Sequence, residues 1–376
     1  MTLQPLVSEA PAIVYIDFKS PYAYLAVEPT RELEAELGLQ FDWRPFVLDI
    51  PSYLGSARLG KHGEVVEQQR SAEQWSGVKY AYYDCRRYAR LQGRIIRGTE
   101  KIWDTNLVAT AMLWARQYGH ATVHRFIDSV YAPFWRRELD VESEEVIARL
   151  LDDLDADGAA FTEWAHAEGL ARNARLQTAA FEAGIYGVPT YVVGDELYFG
   201  REQLPRVRWQ LGGQAGAAPD IAYTLPATMP TQPGPPGRIC IGVDDSLDSL
   251  LALPRLLALL ADYSGSIDWV AIPARKPPRP PPEEDRSRSA MHKRLRLRNL
   301  EACSRRYGPA GMAAGSDCLQ AIAQYLQACH INLADRGPDQ LLRPAMPGIV
   351  VLADEEVFIG RAHLPLLAAR LGVTAT

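Results

Sequence analysis

Short runs rich in β-branched and aromatic residues alternate along the chain with longer stretches in which apolar positions recur every three to four residues. "IVYIDF" from Ile13, "LQFDWRPF" from Leu39, "TYVV" from Thr190 and "ELYFG" from Glu196 read as strands. Gly194-Asp195, between the last two, predicts a tight turn. "LVATAMLWARQYG" and "SEEVIARLLDDL" are amphipathic at the helical period. The first half therefore reads as strand, helix, strand, a long helical stretch over about 47–187, two strands and a closing helix.

The same order returns after residues 212–237, "GGQAGAAPDIAYTLPATMPTQPGPPG", a Pro/Gly/Ala-rich segment that reads as an extended linker. "IVYIDFKS…LAVEP" parallels "RICIGVDD…LLALP", with Pro29 falling on Pro254. "LQFDWRPF" parallels "GSIDWVAI", with Trp43 on Trp269. "VPTYVVGDELYFGREQLP" parallels "MPGIVVLADEEVFIGRAHLP", with a turn longer by two residues expected in the second copy. Three pairs in the same order predict a duplicated unit, 10–211 and 238–376. The middle of the second copy is shorter, about 274–345, and opens with "KPPRPPPEED", expected to be exposed and mobile.

Composition narrows the function classes. The 376 residues are 47% hydrophobic and 23% charged with a net charge of -6, ordinary for a globular protein of about two domains and without a global pull toward nucleic acid. The basic run "RSRSAMHKRLRLRN" follows Glu283, Glu284 and Asp285 and reads as a solvated or interdomain helix face. The N-terminus lacks the basic and apolar segments of a signal peptide, and "LLALPRLLALLADY" is too short and too interrupted to cross a bilayer, so a soluble cytoplasmic protein is expected. The five cysteines include no C-x-x-C pair. His120 and His124 have helical i, i+4 spacing, but no acidic residue stands between them and no third ligand is evident. They read as solvated surface histidines, and no metal is expected.

Candidate chemistry sits at the first strand-to-helix junction, "DFKSPYAYLA". Ser20-Pro21 satisfies the preference for serine at the helix N-cap and proline at the first helical position. A structural cap is one reading. The other is chemical: a helix N-terminus carries unsatisfied N–H donors and partial positive charge, and a hydroxyl there can donate to a thiolate or carboxylate. "GIYGVPTYVV" supplies a second clue, since Val188-Pro189 at the start of a strand can be cis and can leave backbone groups for an extended ligand.

Taken together, the motifs of the first half resemble the DsbA-like branch of the thioredoxin superfamily, in particular 2-hydroxychromene-2-carboxylate isomerases and kappa-class glutathione transferases. They are Asp17 to Ala26; "WRPF", Trp43 to Phe46; Tyr80, Asp84, Arg87, Ala89 and Gly93; Asn106; Gly184 to Val193; and "GREQL", Gly200 to Leu204. The resemblance implies an α/β thioredoxin-like fold with an inserted helical domain. It further implies glutathione as cofactor, Ser20 as the catalytic group facing its sulfur, Val188, Pro189, Arg201 and Glu202 as cofactor-binding residues, and Tyr22, Trp43, Arg44 and Asn106 as substrate-binding residues. The family's aspartate and arginine in the closing motif are replaced here by Glu202 and Gln203. "SPYA" stands where redox relatives carry C-x-x-C, which disfavours thiol oxidoreduction, because disulfide exchange needs a thiolate nucleophile.

The resulting expectation is a glutathione-dependent isomerase or transferase acting on a small unsaturated or aromatic substrate. The alternatives are a non-catalytic binding frame and, less favoured, a nucleic-acid binder. In the second copy Ser20 falls on Asp245 and Pro21 on Ser246, a one-residue shift would bring Ser246 to the turn, no "SPY" remains, and Pro347 keeps the strand-leading proline. That copy is expected to preserve the fold without catalysis. Either the chain forms a homodimer or this copy stands in for a dimer partner.

Overall fold

The computed structural model describes residues 3–59, 65–272, 280–307, 318–334 and 348–373. The chain divides into two compact units. The first comprises Met1–Gln203, Val207–Gly216 and Arg286–Leu295; the second comprises Leu204–Arg206, Ala217–Asp285 and Arg296–Thr376. The boundary thus falls inside the expected linker, whose second part is built into the second unit. There Tyr223 N donates to Ala362 O, and the Asp220 carboxylate pairs with Arg255 and Arg361.

In the first unit β1 (Ile13–Ile16) is buried throughout, as a continuous apolar run in a covered sheet should be. It leads into α1 (Pro21–Leu37) and on to β2 (Asp42–Pro45), which pairs parallel to β1. The insertion follows: α2 (Ile50–Leu54), a hairpin of β3 (Ala57–Leu59) and β4 (Val65–Gln68), then α3 (Ala72–Leu91), α4 (Asn106–Ala115), α5 (His120–Trp135), α6 (Glu144–Asp152), α7 (Gly158–Trp164) and α8 (Leu170–Glu182). The β3–β4 hairpin lies in the charged stretch after Gly55 and was not anticipated from the pattern. β5 (Thr190–Val193) returns antiparallel beside β1, β6 (Glu196–Phe199) closes the sheet in the order β2-β1-β5-β6, and α9 (Leu204–Leu211, its first three residues in the second unit) follows. Gly194, at φ 57, makes the expected two-residue turn.

α1 shows how sequence becomes local structure. Ser20 caps it, Pro21 opens it, and Gly38 at φ 65 ends it in the left-handed conformation. Pro29 lies inside the helix and has no N–H for the Leu25 carbonyl four residues back. Gln92 Nε2 donates to Leu25 O at 3.2 Å instead, and Arg94 Nη1 donates to Tyr24 O at 2.8 Å.

The second unit carries β7 (Arg238–Val243), α10 (Leu247–Leu260), β8 (Ser266–Ala271), α11 (Arg288–Tyr307, with its first turns in the first unit), α12 (Cys318–Ala328), β9 (Val350–Ala353), β10 (Glu356–Ile359) and α13 (Leu364–Leu371). Its sheet order, β8-β7-β9-β10, repeats the first, with a parallel β7–β8 pair and antiparallel β7–β9 and β9–β10 pairs. This topology fits a second thioredoxin-like copy.

Two details of register differ from the sequence reading. The hairpin turn is two residues in both sheets, Gly194-Asp195 and Asp354-Glu355; the two extra residues fall before β9, at Gly348-Ile349. At the first turn Ser246, not Asp245, caps α10, accepting from Ser249 N at 3.2 Å. The turn that follows the strand-ending aspartate is one residue shorter than in the first unit. Residues 276–279 of the middle segment's proline run, and the intervals 308–317 and 335–347 with Pro347, lie outside the described residues. No described helix is long and apolar enough to cross a membrane.

Candidate functional site

The first unit's candidate site forms where β1 ends. Asp17 is buried and accepts from Leu48 N at 2.7 Å, Thr105 Oγ1 at 2.7 Å and Lys19 N at 3.3 Å. Its carboxylate also lies 3.7 Å from Lys19 Nζ, which donates to Trp103 O. One aspartate thereby fixes the turn to the loop after β2 and to the start of α4. Ser20 follows, 4% exposed, with N donating to Asp17 O at 2.9 Å and Oγ accepting from Ala23 N at 3.2 Å. Oγ acts as acceptor in the cap, and among the described residues nothing accepts the hydroxyl hydrogen. The α1 N-terminus places partial positive charge beside it, whereas the Lys19 ammonium is turned to Asp17 and Trp103 O.

The Val188–Pro189 peptide is cis, as the sequence reading expects. Tyr15 pairs with Thr190 across β1 and β5, so Pro189 stands next along, at the level of Ile16 and the Asp17–Ser20 turn. Gly200 N donates to Pro189 O at 2.9 Å, which brings the Arg201-Glu202 turn to the same end of the sheet. Gly200 has φ 106, and a Cβ there would lie 2.2 Å from Glu202 Oε1, so the Glu202 carboxylate folds back over this glycine. Arg201 is buried with its guanidinium 4.0 Å above the Tyr88 ring.

Tyr22, in the first turn of α1, hydrogen-bonds the Cys85 sulfur. Burial, then the Asp84 carboxylate, pushes the Cys85 thiol well above its ordinary range, only partly offset by Arg201 and Tyr22. The thiol stays protonated and is a poor nucleophile. Asn106 opens α4 beside Thr105; its amide donates to Asp104 Oδ1 and its oxygen accepts from Asn173, which in turn accepts from Gln177.

Ser20, Tyr22, Val188, Pro189, Arg201 and Glu202 therefore gather at one end of the sheet, with Asn106 adjoining through Thr105 and Asp17. Trp43 and Arg44 do not join them. The Arg44 guanidinium is buried and donates to Asp42 and to the carbonyls of Gln4 and Val7, clamping the N-terminal segment. Trp43 points to the other end of α1, where its Nε1 lies 3.3 Å from both oxygens of Glu34. Pro21 and Glu34 are thirteen residues apart, roughly 20 Å along a helix at 1.5 Å per residue. Strand alternation explains the split, since neighbours on β2 face opposite sides.

His120 and His124 also differ from expectation. They are not merely solvated: His120 hydrogen-bonds Glu34, a third group contributed by α1 from 86 residues away, and His124 Nε2 lies 3.5 Å from the same carboxylate. Burial, reinforced by Arg31 and His120, brings the His124 imidazole down to about 3.

Several neighbours of the site escaped the sequence reading. Tyr186, just before Gly187, packs on Phe199 at 4.8 Å. His292 stacks on Tyr53 with ring centroids 4.2 Å apart and meets Tyr186 edge-on at 5.5 Å. Burial, then the Asp17 and Asp49 carboxylates, pushes the Tyr53 phenol up, which places Tyr53 near the turn. His292 and Arg288 belong to the basic run read as a solvated or interdomain face, yet Arg288 lies over Phe181 at 3.8 Å and pairs with Asp49 within the first unit.

The first unit has counterparts among known proteins. The 2-hydroxychromene-2-carboxylate isomerase of Sphingobium xenophagum is 27% identical over 199 residues, covering 50% of this chain and 92% of that protein. The proteins of the same name from Pseudomonas sp. (strain C18) and Pseudomonas putida are 23% and 25% identical, over 53% and 50% of this chain and 89% and 88% of their own lengths. Among solved structures, a 2-hydroxychromene-2-carboxylate isomerase aligns over 54% of this chain and 94% of its own at 20% identity and TM-score 0.42. A probable DsbA oxidoreductase from Streptomyces coelicolor aligns over 59% and 99% at 17% identity and TM-score 0.42. Residues 12–212, more than half of the chain, match the DSBA-like thioredoxin domain family, and the chain belongs to that family.

Proposed function

We propose that the first unit is a glutathione-dependent isomerase or transferase of the 2-hydroxychromene-2-carboxylate isomerase type, acting on a small unsaturated or aromatic molecule. The observation that carries this reading is Ser20: a hydroxyl at a helix N-terminus, beside Lys19 and at the level of Pro189, with its hydrogen not accepted by any described residue. The donor set suits a thiolate, and the family relatives named as isomerases support the reaction class. Glutathione, when bound, supplies a thiolate that adds to an unsaturated carbon and leaves again after bond rotation.

The chain's own residues would do the rest. Ser20 Oγ would donate its hydrogen to the sulfur and favour the thiolate, and the α1 N-terminus would add to that field. The Val188-Pro189 segment presents backbone beside the turn, and Glu202 offers a carboxylate to an ammonium group. Tyr22 borders the substrate side and is held by Cys85. Thiol oxidoreduction is not proposed, because the nearby Cys85 is held protonated.

The rival is a non-catalytic binding frame. It is favoured by the 4% exposure of Ser20 and its service as an N-cap. Thermal denaturation with and without millimolar glutathione tests the proposal. A ligand at a hundred times its dissociation constant adds about 2.7 kcal/mol, seen as a raised Tm. An unmoved Tm, with no turnover of an isomerisable hydroxychromene carboxylate, would leave the binding frame.

A further inference from the structure

Glu34, His120 and His124 form a cluster that the proposed chemistry at Ser20 does not use. We propose that these three side chains bind one divalent transition-metal ion of the zinc type, through Nε2 of each imidazole and a Glu34 oxygen.

The carboxylate is already fixed in place. Phe41 N donates to Glu34 Oε1 at 2.6 Å, and Trp43 Nε1 lies 3.3 Å from both oxygens, which orients the group and raises no competing positive charge. The histidines stand one turn apart on the same face of α5. Their Nε2 atoms converge on different oxygens of one carboxylate, His120 at 3.0 Å from Oε1 and His124 at 3.5 Å from Oε2. Zinc bonds of about 2.0–2.2 Å at tetrahedral angles separate ligand atoms by about 3.3–3.6 Å, so side-chain adjustments of under about 1.5 Å would bring the three groups to one ion. Ligand atoms from all three side chains lie within 4.8 Å of one another.

His124 supplies the second indication. Its Nε2 is buried yet makes no hydrogen bond, so a ring nitrogen is aimed into the cluster without a role there. Arg31, a cation beside His124, is held by a two-oxygen pair to Asp128 at 2.7 and 2.9 Å, which offsets its charge. Two imidazole nitrogens and one carboxylate oxygen suit zinc and its neighbours rather than calcium or magnesium, which prefer oxygen throughout. Both histidine side chains are partly exposed, at 27% and 21%, which leaves a fourth position for water. The ion would join the C-terminal half of α1 to the first turns of α5, roughly 20 Å from the helix N-terminus.

The test uses the full chain after removal of metal with a chelator. Titration with zinc chloride should show one ion bound per chain and a raised Tm. Cobalt chloride should give the intense visible bands of four-coordinate cobalt with nitrogen ligands. In the doubly substituted His120→Ala, His124→Ala protein, with circular dichroism matching the metal-free wild type, both the bands and the Tm rise should vanish. Absence of stoichiometric zinc and of four-coordinate cobalt bands in the wild type would overturn the proposal. So would a folded double variant that binds as the wild type does. Should that variant not fold, the wild-type cobalt spectrum decides alone.

Discussion

Pro189 and Ile349 occupy the same place in the two sheets. Gly200 N donates to Pro189 O at 2.9 Å, and Gly360 N donates to Ile349 O at 2.8 Å. The first sheet meets its helix-capping turn with a cis-proline, and the second with an isoleucine. The second turn is also occupied from within: Asp244 accepts from the hydroxyls of both Ser246 and Ser249 and from Gly348 N. One glutathione per chain is therefore expected. Calorimetric titration should give a single site that Ser246→Ala leaves intact; two equivalent sites would contradict the assignment to the first unit.

Ser20→Ala separates cap from catalyst. A hydrogen bond to a charged group contributes about 1.5–3 kcal/mol, and a pKa unit is 1.36 kcal/mol. Loss of the hydroxyl should raise the bound thiol's pKa by roughly one to two units and lower turnover at neutral pH about ten- to a hundredfold. The lost cap should lower stability by only about 1 kcal/mol. A pH–rate profile and urea denaturation of the same preparation read both. Wild-type turnover with an unshifted thiol titration would reduce Ser20 to a cap.

Asp17→Ala should damage the fold more than Ser20→Ala. It leaves the buried Lys19 ammonium uncompensated and strips Leu48 N and Thr105 Oγ1 of their acceptor. Removing one partner of a buried ion pair costs about 3–5 kcal/mol. Denaturant midpoints compare the two variants; equal losses would mean the turn is held by other contacts.

In the second unit, Asp220 carries a pH signature. Burial alone would raise its pKa, but Arg361 and Arg255, with the Ile221 N–H, outweigh this and hold it below the usual carboxylate range. A depressed folded pKa stabilises above the unfolded value, and that contribution is lost as pH falls through the folded one. Asp220→Asn should thus be less stable than wild type at neutral pH, with the gap closing below about pH 4. A gap that persists unchanged at low pH would show that packing, not charge, is what Asp220 supplies.

Local signals carried much of this architecture. The strand runs, the Gly194 turn, the Ser20-Pro21 cap and the cis-proline all depend on neighbours within a few residues, and periodicity reports such neighbours well. Contacts between distant segments left no such trace. Glu34 joins His120 only because α1 and α5 pack together, and nothing between the two histidines announces it. His292 reaches Tyr53 and Tyr186 from more than a hundred residues downstream of the latter. Trp43 and Arg44 were grouped with the site because they are adjacent to each other in a shared motif, yet a strand sends adjacent side chains to opposite faces.

Gln92 donating to the carbonyl that Pro29 leaves bare has a consequence for how far the fold can be reduced. The helix bearing Ser20 at its front is gripped near that front by the residues just beyond α3, through Leu25 O and Tyr24 O. A trimmed protein, with the insertion replaced by a short loop, would keep all four strands of the first sheet together with Ser20, Tyr22, Val188, Pro189, Arg201 and Glu202, but would lose Asn106 and the supports Thr105, Cys85 and Tyr88. It would also leave the Leu25 carbonyl, in the second turn of α1, without its partner and release the helix from its brace. The helical insertion is thus part of the frame that aims the serine, and a minimal thioredoxin-like core cut from this chain should not be expected to hold the turn still.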